Sequence, residues 1–458
     1  MKELLTLALT GIITMIADMF DLKKLVFPLV LLGLAMTISW SIFDWDYNQS
    51  LYGMMRIDNY ALAFTVVMCV TALLWMIMSE DYFAKSNTAS ERYSLIMFVL
   101  VGAFLMASYT NMVMLFIGIE ILSVALYVLA GSNKTDIGSN EAALKYFLMG
   151  AFASGFLLFG IALIYGATGS FDLTVIRTNL ASGNFEAGKS IVPMGILLIL
   201  IGLGFKISAA PFHFWAPDVY QGSPMPITAF MATIVKTAAF AAFYRLFGSC
   251  FSLVSGAWTD VVAGMIILTL LVGNVAAVSQ ANAKRMLAFS SISHAGYMLI
   301  AVLCVNANSD NSLVFYTAAY SIATIVAFMV LYIVDLNKGS SDVAAFHGLG
   351  KKNPLLAFAM TVSLLSMAGI PPLSGFMAKY YLFTNAISEG YMGLVLFAIA
   401  MSLVGVYYYF KIIISMFFNE DTEGGNMEVN PLQNLLLVIG CFLMLLLGVL
   451  PQLVYNVL

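Results

Sequence analysis

Apolar runs long enough to cross about 30 Å of hydrocarbon recur from one end of this 458-residue chain to the other, and loops rich in charge, Asn, Gly and Pro separate them. Backbone inside a bilayer must satisfy its own hydrogen bonds, so consecutive runs of this kind fold as helices. The composition agrees. Hydrophobic residues make up 62% and charged residues 10%, with a mean hydropathy of +0.95, whereas soluble domains carry about 25% charged residues. The expected fold is an all-α polytopic membrane protein of about 14 transmembrane helices. The spans fall at 4–20, 25–43, 58–78, 92–107, 110–130, 142–166, 191–220, 226–247, 259–280, 285–305, 312–334, 354–388, 391–418 and 432–456. No small-residue cleavage site precedes the second apolar stretch, so the first reads as a retained helix and not as a signal peptide.

Several function classes are excluded at this level. A net charge of −4 and a pI near 5.4, without clustered basic residues, argue against nucleic acid as a partner; lipids are the expected surroundings. The four cysteines (Cys69, Cys250, Cys304 and Cys441) are scattered through apolar runs, in neither a zinc nor a disulfide spacing. No phosphate loop, dinucleotide fingerprint, iron–sulfur spacing or nucleophile triad is present, and no bound cofactor or metal is expected.

Orientation follows from the loop cations. Loops after odd-numbered spans hold Lys23, Lys24, Lys85, Arg92, Lys134, Lys145, Lys284, Arg285, Lys338, Lys351 and Lys352. The N-terminus and loops after even-numbered spans hold only Lys2, Arg56, Arg177, Lys189 and Arg245. Cytoplasmic loops carry the excess of Lys and Arg. Both termini are therefore expected outside the cytoplasm.

The remaining four of the twenty basic residues, Lys206, Lys236, Lys379 and Lys411, lie within spans. A lysine at the centre of a membrane helix costs roughly 2.5 kcal/mol or more, and such groups usually face a bundle interior or a hydrated path. Lys411 is near the end of its span, where snorkelling or a structural ion pair competes with a place on such a path. Lys206 and Lys236 are near mid-span. Lys206 precedes Pro211 by five residues, and Lys379 follows Pro371-Pro372. Prolines withhold an amide and break helices, and a break at membrane depth survives only where protein or water satisfies the freed carbonyls. The seventh and twelfth spans, both too long for a simple crossing, are thus expected to be broken beside a lysine.

The same oddities recur in order. In spans four to eight the second holds Glu120, the fourth Lys206 and a break, and the fifth Lys236. In spans nine to thirteen the second holds His294, the fourth a break and Lys379, and the fifth Lys411. Five crossings per unit make the units inverted, a plan common in transporters, whose broken helices mark the ion path. The expected division is an N-terminal three-helix segment at 1–91, five-helix units at 92–247 and 258–418, and a C-terminal helix at 431–458. Glu120 is either a neutral structural carboxyl or the partner of Lys206, since a carboxylate and an ammonium buried together each favour the other's charged form. His294, among Ser290, Ser291 and Ser293, is either a proton relay or a satisfied core histidine.

The segment HFWAPDVYQGSPMPITAFMATIVKTAAF, with RMLAFSSISHAGY at 285–297 and SMAGIPPLSGFMAKYYLF at 366–383, resembles the N-type antiporter-like subunits of bacterial respiratory complex I, the proton-pumping NADH:quinone oxidoreductase. The resemblance covers essentially the whole chain. It implies a proton channel in a bacterial inner-membrane translocase, with Glu120 and Lys206 as a coupling pair, Lys236 as central carrier and Lys379 near the exit side. M-type subunits have a glutamate where Lys379 stands, and L-type subunits add a long lateral helix that this sequence lacks. The resemblance further implies M-type and small K- and J-type subunits as partners, and NADH, FMN, iron–sulfur clusters and quinone held by partner subunits. Two alternatives share parts of the pattern: a subunit of a multi-subunit sodium/proton antiporter or membrane-bound hydrogenase, and a non-transporting scaffold. The segment APDVYQGSP disfavours the first, and the mid-helix charges disfavour the second.

Overall fold

A computed structural model describes residues 1–20, 22–84, 88–182, 190–306, 308–420 and 427–458, and these form an all-α bundle. Helices α1 (Lys2–Met19), α2 (Lys23–Phe43) and α3 (Asn59–Ala84) come first, with a small antiparallel hairpin of β1 (Gln49–Leu51) and β2 (Met55–Ile57) between the last two. Next are α4 (Ala89–Ser108), α5 (Met112–Ala130), α6 (Ile137–Thr168) and the short α7 (Leu173–Ser182). An interrupted helix follows, α8 (Ile191–Ile207) and α9 (Trp215–Gly222). Then α10 (Met225–Phe230) passes through a π-helical turn at Met231–Val235 into α11 (Lys236–Tyr244) and a second such turn at Arg245–Cys250. The other half holds α12 (Thr259–Val278), α13 (Ala283–Leu303), α14 (Ser309–Lys338) and α15 (Leu349–Lys352). A second interrupted helix, α16 (Pro354–Ala368) and α17 (Ser374–Ser388), precedes α18 (Met392–Phe418), α19 (Pro431–Val449) and α20 (Gln452–Tyr455).

Among the described residues, eleven helices are long and apolar enough to cross a membrane. The seventh and twelfth expected spans are the two interrupted helices, and the first is the 18-residue α1, which carries Lys2, Glu3 and Asp18. The breaks differ in detail from a proline kink. Helix α8 stops at Ile207 because Ser208 turns left-handed (φ 61°), and α16 stops at Ala368 because Gly369 does (φ 86°). Pro211, Pro371 and Pro372 sit in the connecting loops, not inside helices. The last expected span also ends early, as its helix stops before Leu450-Pro451.

Burial sorts the helices into a centre and a rim. An 18-residue stretch of each of the spans Met225–Cys250, Ala283–Leu303 and Ser309–Lys338 is fully buried by the rest of the chain, while most residues of α18 and α2 are not. A helix apolar all round belongs in such a centre. Without a strong hydrophobic drive between helices in lipid, close packing depends on small residues that let backbones approach. A Cβ on Gly102 of α4 would lie 2.6 Å from the Gly118 carbonyl of α5, and one on Gly273 of α12 would lie 2.6 Å from the Ser293 amide of α13. Gly273→Ala is expected to force α12 off α13 and to destabilise the chain by about 1–3 kcal/mol, as overpacked cores do. Thermal unfolding in detergent checks this, and an unchanged midpoint would show that α12 shifts at no cost.

The two halves share a local device. Asn111 caps α5 by accepting from the Val113 amide, and its backbone pairs antiparallel with Asp172, which follows α6. Asn282 caps α13 by accepting from the Arg285 amide, and pairs likewise with Asp342, which follows α14. Met112 donates to the Phe171 carbonyl and Leu173 to that of Thr110; Ala283 donates to Ser341 and Val343 to Ala281. Gly169 and Gly339, both left-handed, end α6 and α14 just before these bridges.

Candidate functional site

Lys206, Lys236, His294 and Lys379 are respectively 3%, 1%, 4% and 7% exposed, so the structure encloses all four. Glu120 is only half-buried. Each is held by a neighbour from another helix.

Lys206 occupies the last turn of α8, where helix carbonyls favour a cation. Its Nζ donates to Ser123 Oγ of α5 at 2.6 Å, and the aromatic faces of Tyr127, Phe205 and Tyr146 lie 5.7–6.0 Å away. Ser123 is one helical turn from Glu120 and so on the same face of α5. The expected direct contact of Glu120 with Lys206 is not made. Among the described residues no ion pair joins them, and Glu120 instead accepts from Ser154 Oγ of α6 at 2.5 Å. A hydroxyl intervenes because the lysine ends at Ser123, a turn further along α5. At the break itself, Trp215 Nε1 donates to the Phe205 carbonyl at 3.0 Å, and the Ala210 amide donates to Thr269 Oγ1 of α12 at 2.9 Å.

Lys236 follows directly on the π-helical turn, a local widening that often marks functional positions. Its Nζ donates to the Ser291 carbonyl of α13, one turn before His294. His294 is bonded at both ring nitrogens: Nδ1 to the Tyr316 hydroxyl of α14 at 2.8 Å, and Nε2 to the Tyr409 hydroxyl of α18 at 3.2 Å. Lys379 of α17 donates to the Ala368 carbonyl at 2.9 Å, and so satisfies the end of α16 across the second break. It also donates to Ser402 Oγ at 2.7 Å and lies 4.7 Å over the ring of Tyr297, one turn beyond His294 on α13. Lys411 stands apart. It donates to the Gln280 carbonyl beyond the end of α12 at 2.8 Å, which ties α18 to that loop.

Four cations counted as loop charges are engaged inside the bundle or at its edge. Lys284 is buried at the start of α13 and caps the far end of α9, donating to the Gln221 and Ser223 carbonyls at 2.9 and 2.5 Å. Arg285 donates to Asp218 at 2.8 Å, and Lys145 of α6 reaches the same carboxylate at 2.9 Å, so three helices meet on Asp218. Arg245 lies in the second π-turn and pairs bidentately with Asp58 at 2.6 and 3.0 Å. Lys85 and Lys189 lie outside the described residues.

Sequence reasoning passed over Ser123, Ser154, Tyr316, Tyr409 and Ser402. For Tyr316 a signal existed: Tyr316, Thr317, Tyr320, Ser321 and Thr324 recur at helical spacing along an otherwise apolar span.

An all-α membrane bundle with two interrupted helices, each bringing a lysine to a break, is the architecture of an antiporter-like membrane subunit. The model of the family described as "NADH:quinone oxidoreductase/Mrp antiporter, TM" matches residues 109–405. The chain is 42% identical to NADH-quinone oxidoreductase subunit N of Cytophaga hutchinsonii, over 100% of its own length and 99% of that protein's. It is 40% identical to subunit N of Flavobacterium psychrophilum over the full length of both. A chain of respiratory complex I from Thermus thermophilus superposes with a TM-score of 0.85 at 35% identity, covering 99% of this chain and 98% of that one. A chain of the Mrp complex from Dietzia shares the fold at a TM-score of 0.86 with 20% identity, over 100% and 96% of the two chains. The chain belongs to the subunit N family of NADH-quinone oxidoreductases.

Proposed function

We propose that this chain carries protons through the membrane arm of a proton-pumping NADH:quinone oxidoreductase along Glu120, Lys206, Lys236, His294 and Lys379, while redox chemistry in partner subunits supplies the energy. The carrying observation is the company kept by the three buried lysines at the helix breaks and the π-helical turn. Lys206, Lys236 and Lys379 bond only to hydroxyls and backbone carbonyls, and among the described residues none has a carboxylate at ion-pair distance. A buried cation held in an ion pair is fixed in its charged form, since breaking such a pair costs about 3–5 kcal/mol. Neutral partners leave a lysine free to exist with or without its proton. Among the described residues, the buried hydroxyls of Tyr127, Ser208, Ser291 and Thr324 have no hydrogen-bond partner. An unmet hydroxyl costs about 1–3 kcal/mol, so these are positions where water would complete the path.

In this reading Glu120 answers Lys206 through Ser123, Lys236 is the central carrier, His294 the relay and Lys379 the group nearest the exit. Lys411 serves as a tie. NADH, FMN, iron–sulfur clusters and quinone belong to partner subunits, and the other membrane-arm subunits, M-type and the small K- and J-type, are the neighbours. The matching Asn111–Asp172 and Asn282–Asp342 bridges support two inverted five-helix units at 92–247 and 258–418, flanked by the segments 1–91 and 431–458. The loop-cation bias supports a bacterial inner-membrane setting with both termini outside the cytoplasm.

Glu120→Gln is expected to lower NADH-driven proton uptake by inverted vesicles several-fold, because it removes the charge that Lys206 answers. Glu120→Asp, which keeps the charge, should lose less. Normal uptake in both variants would take Glu120 off the path.

A further inference from the structure

We propose that Tyr409 and Tyr316 are proton-relay residues, and that Ser290, Tyr409, His294 and Tyr316 act as one hydrogen-bonded wire leading from the Lys236 side of the bundle to the second helix break. The inference deepens the proton-path reading and rests on it.

The wire is visible as a run of consecutive contacts. Tyr409 Oη bonds Ser290 Oγ on one side and His294 Nε2 on the other; His294 Nδ1 bonds Tyr316 Oη. Ser290, Tyr316 and Tyr409 are no more than 2% exposed. The contacts join three helices, α13, α14 and α18. Every member is amphoteric, since a hydroxyl both donates and accepts and a neutral imidazole donates at one nitrogen while accepting at the other. The chain therefore has two polarities. A proton received at the Ser290 hydroxyl displaces that group's own proton to Tyr409 Oη. Tyr409 then passes its proton to Nε2, Nδ1 releases one to Tyr316 Oη, and Tyr316 gives up its own proton beyond the wire. One O–H or N–H bond forms and one breaks at each group, and every group ends neutral. Rotation of the hydroxyls and return of the imidazole to its first tautomer restore the starting polarity.

Each end lies close to the groups that need connecting. At the first end, the residue next to Ser290 is Ser291, whose carbonyl takes the Lys236 ammonium and whose hydroxyl has no hydrogen-bond partner among the described residues. At the other, Tyr316 and His294 line a small cavity with Tyr320, Ser366 and Gly375. The last two flank the break between α16 and α17, across which Lys379 bonds the Ala368 carbonyl. Both imidazole nitrogens of a buried histidine need partners in any case; here both partners are hydroxyls, which can pass a proton on as well as hold the ring.

The test uses Tyr316→Phe, Tyr409→Phe and the double variant in the assembled complex. Protons taken up per NADH oxidised are measured in inverted vesicles, with Lys236→Ala run in parallel. Each phenylalanine keeps the ring and deletes the hydroxyl. Each single variant is expected to lower proton uptake by about a hundredfold, the low end of what a positioned proton-transfer group supplies. The double variant should be no worse than the weaker single, because a wire cut twice is still one cut wire. Losses that multiply in the double variant would overturn the series arrangement. Full uptake in both single variants, with Lys236→Ala impaired, would overturn the relay and leave the path through the lysines standing. Full uptake in Lys236→Ala would instead overturn the reading on which the relay rests. Should one tyrosine variant fail to assemble, the other, on a different helix, decides alone.

Discussion

Lys236→Ala and Lys236→Arg are both expected to reduce NADH-driven proton uptake by about a hundredfold or more, the contribution of a lost proton-transfer group. The arginine variant carries the argument. Guanidinium retains the positive charge but cannot give up its proton in a protein. A position that needs only a cation would be served by arginine. Lys236 has the surroundings of a group that must let go: it is almost fully enclosed, bonds the Ser291 carbonyl, and has no carboxylate at ion-pair distance among the described residues. It follows directly on a π-helical turn, and its ammonium reaches α13 inside the bundle. The measurement is proton uptake by inverted vesicles, with assembly followed by NADH oxidation and by the presence of the chain in the purified complex. Full uptake by the arginine variant would show that charge alone is what position 236 requires.

Why Lys236 stood out in the sequence while its partners did not follows from what each kind of residue costs. A lysine in a run such as PITAFMATIVKTAAF is expensive in lipid, so its presence alone is informative. The breaks were legible for the same reason, since membrane length sets how long a span should be and prolines interrupt it. The half-helices nevertheless end at Ser208 and Gly369, not at the prolines, because the left-handed turn comes first. Tyr316 and Tyr409 gave no comparable signal. Tyrosine occurs 22 times in this chain and is ordinary lining in a membrane helix; only the meeting of α13, α14 and α18 gives these two their meaning. The loop-cation count reads charge and not company, so it could not tell a solvated cation from Lys284, which caps α9, or from Arg245, which is locked to Asp58. The β1–β2 hairpin and α7 give no such signal, because they lie outside the apolar runs.

Arg245→Met and Asp58→Asn are each expected to destabilise the chain by about 3–5 kcal/mol, the cost of leaving one partner of an enclosed ion pair alone. The double variant should cost less than either single change, because no uncompensated charge remains. The pair matters for the path because of what it anchors. Arg245 ends the helix that carries Lys236, its guanidinium lies 4.7 Å from the ring of Tyr60, and it grips Asp58 at the start of α3. Nearby, the Tyr60 and Tyr109 hydroxyls donate to the Ala241 and Ala242 carbonyls at 2.8 and 2.7 Å. Loosening this end would let the π-helical turns relax and swing the Lys236 ammonium away from Ser291. Acid should act in the same direction as the mutations. Burial pushes the Asp58 carboxyl up, but the Arg245 guanidinium and the Ala61 amide outweigh it and hold the group below its ordinary value of 3.8. A group depressed on folding contributes its full stabilisation above the unfolded value, and loses it as pH falls through the folded one. The wild-type chain should therefore lose this contribution only below about pH 3.8, and Asp58→Asn should lack that acid-dependent component altogether. Thermal unfolding of the purified complex as a function of pH measures both effects. Singles no less stable than the double variant, or an unchanged acid limb in Asp58→Asn, would show that the pair does not hold the Lys236 helix in place.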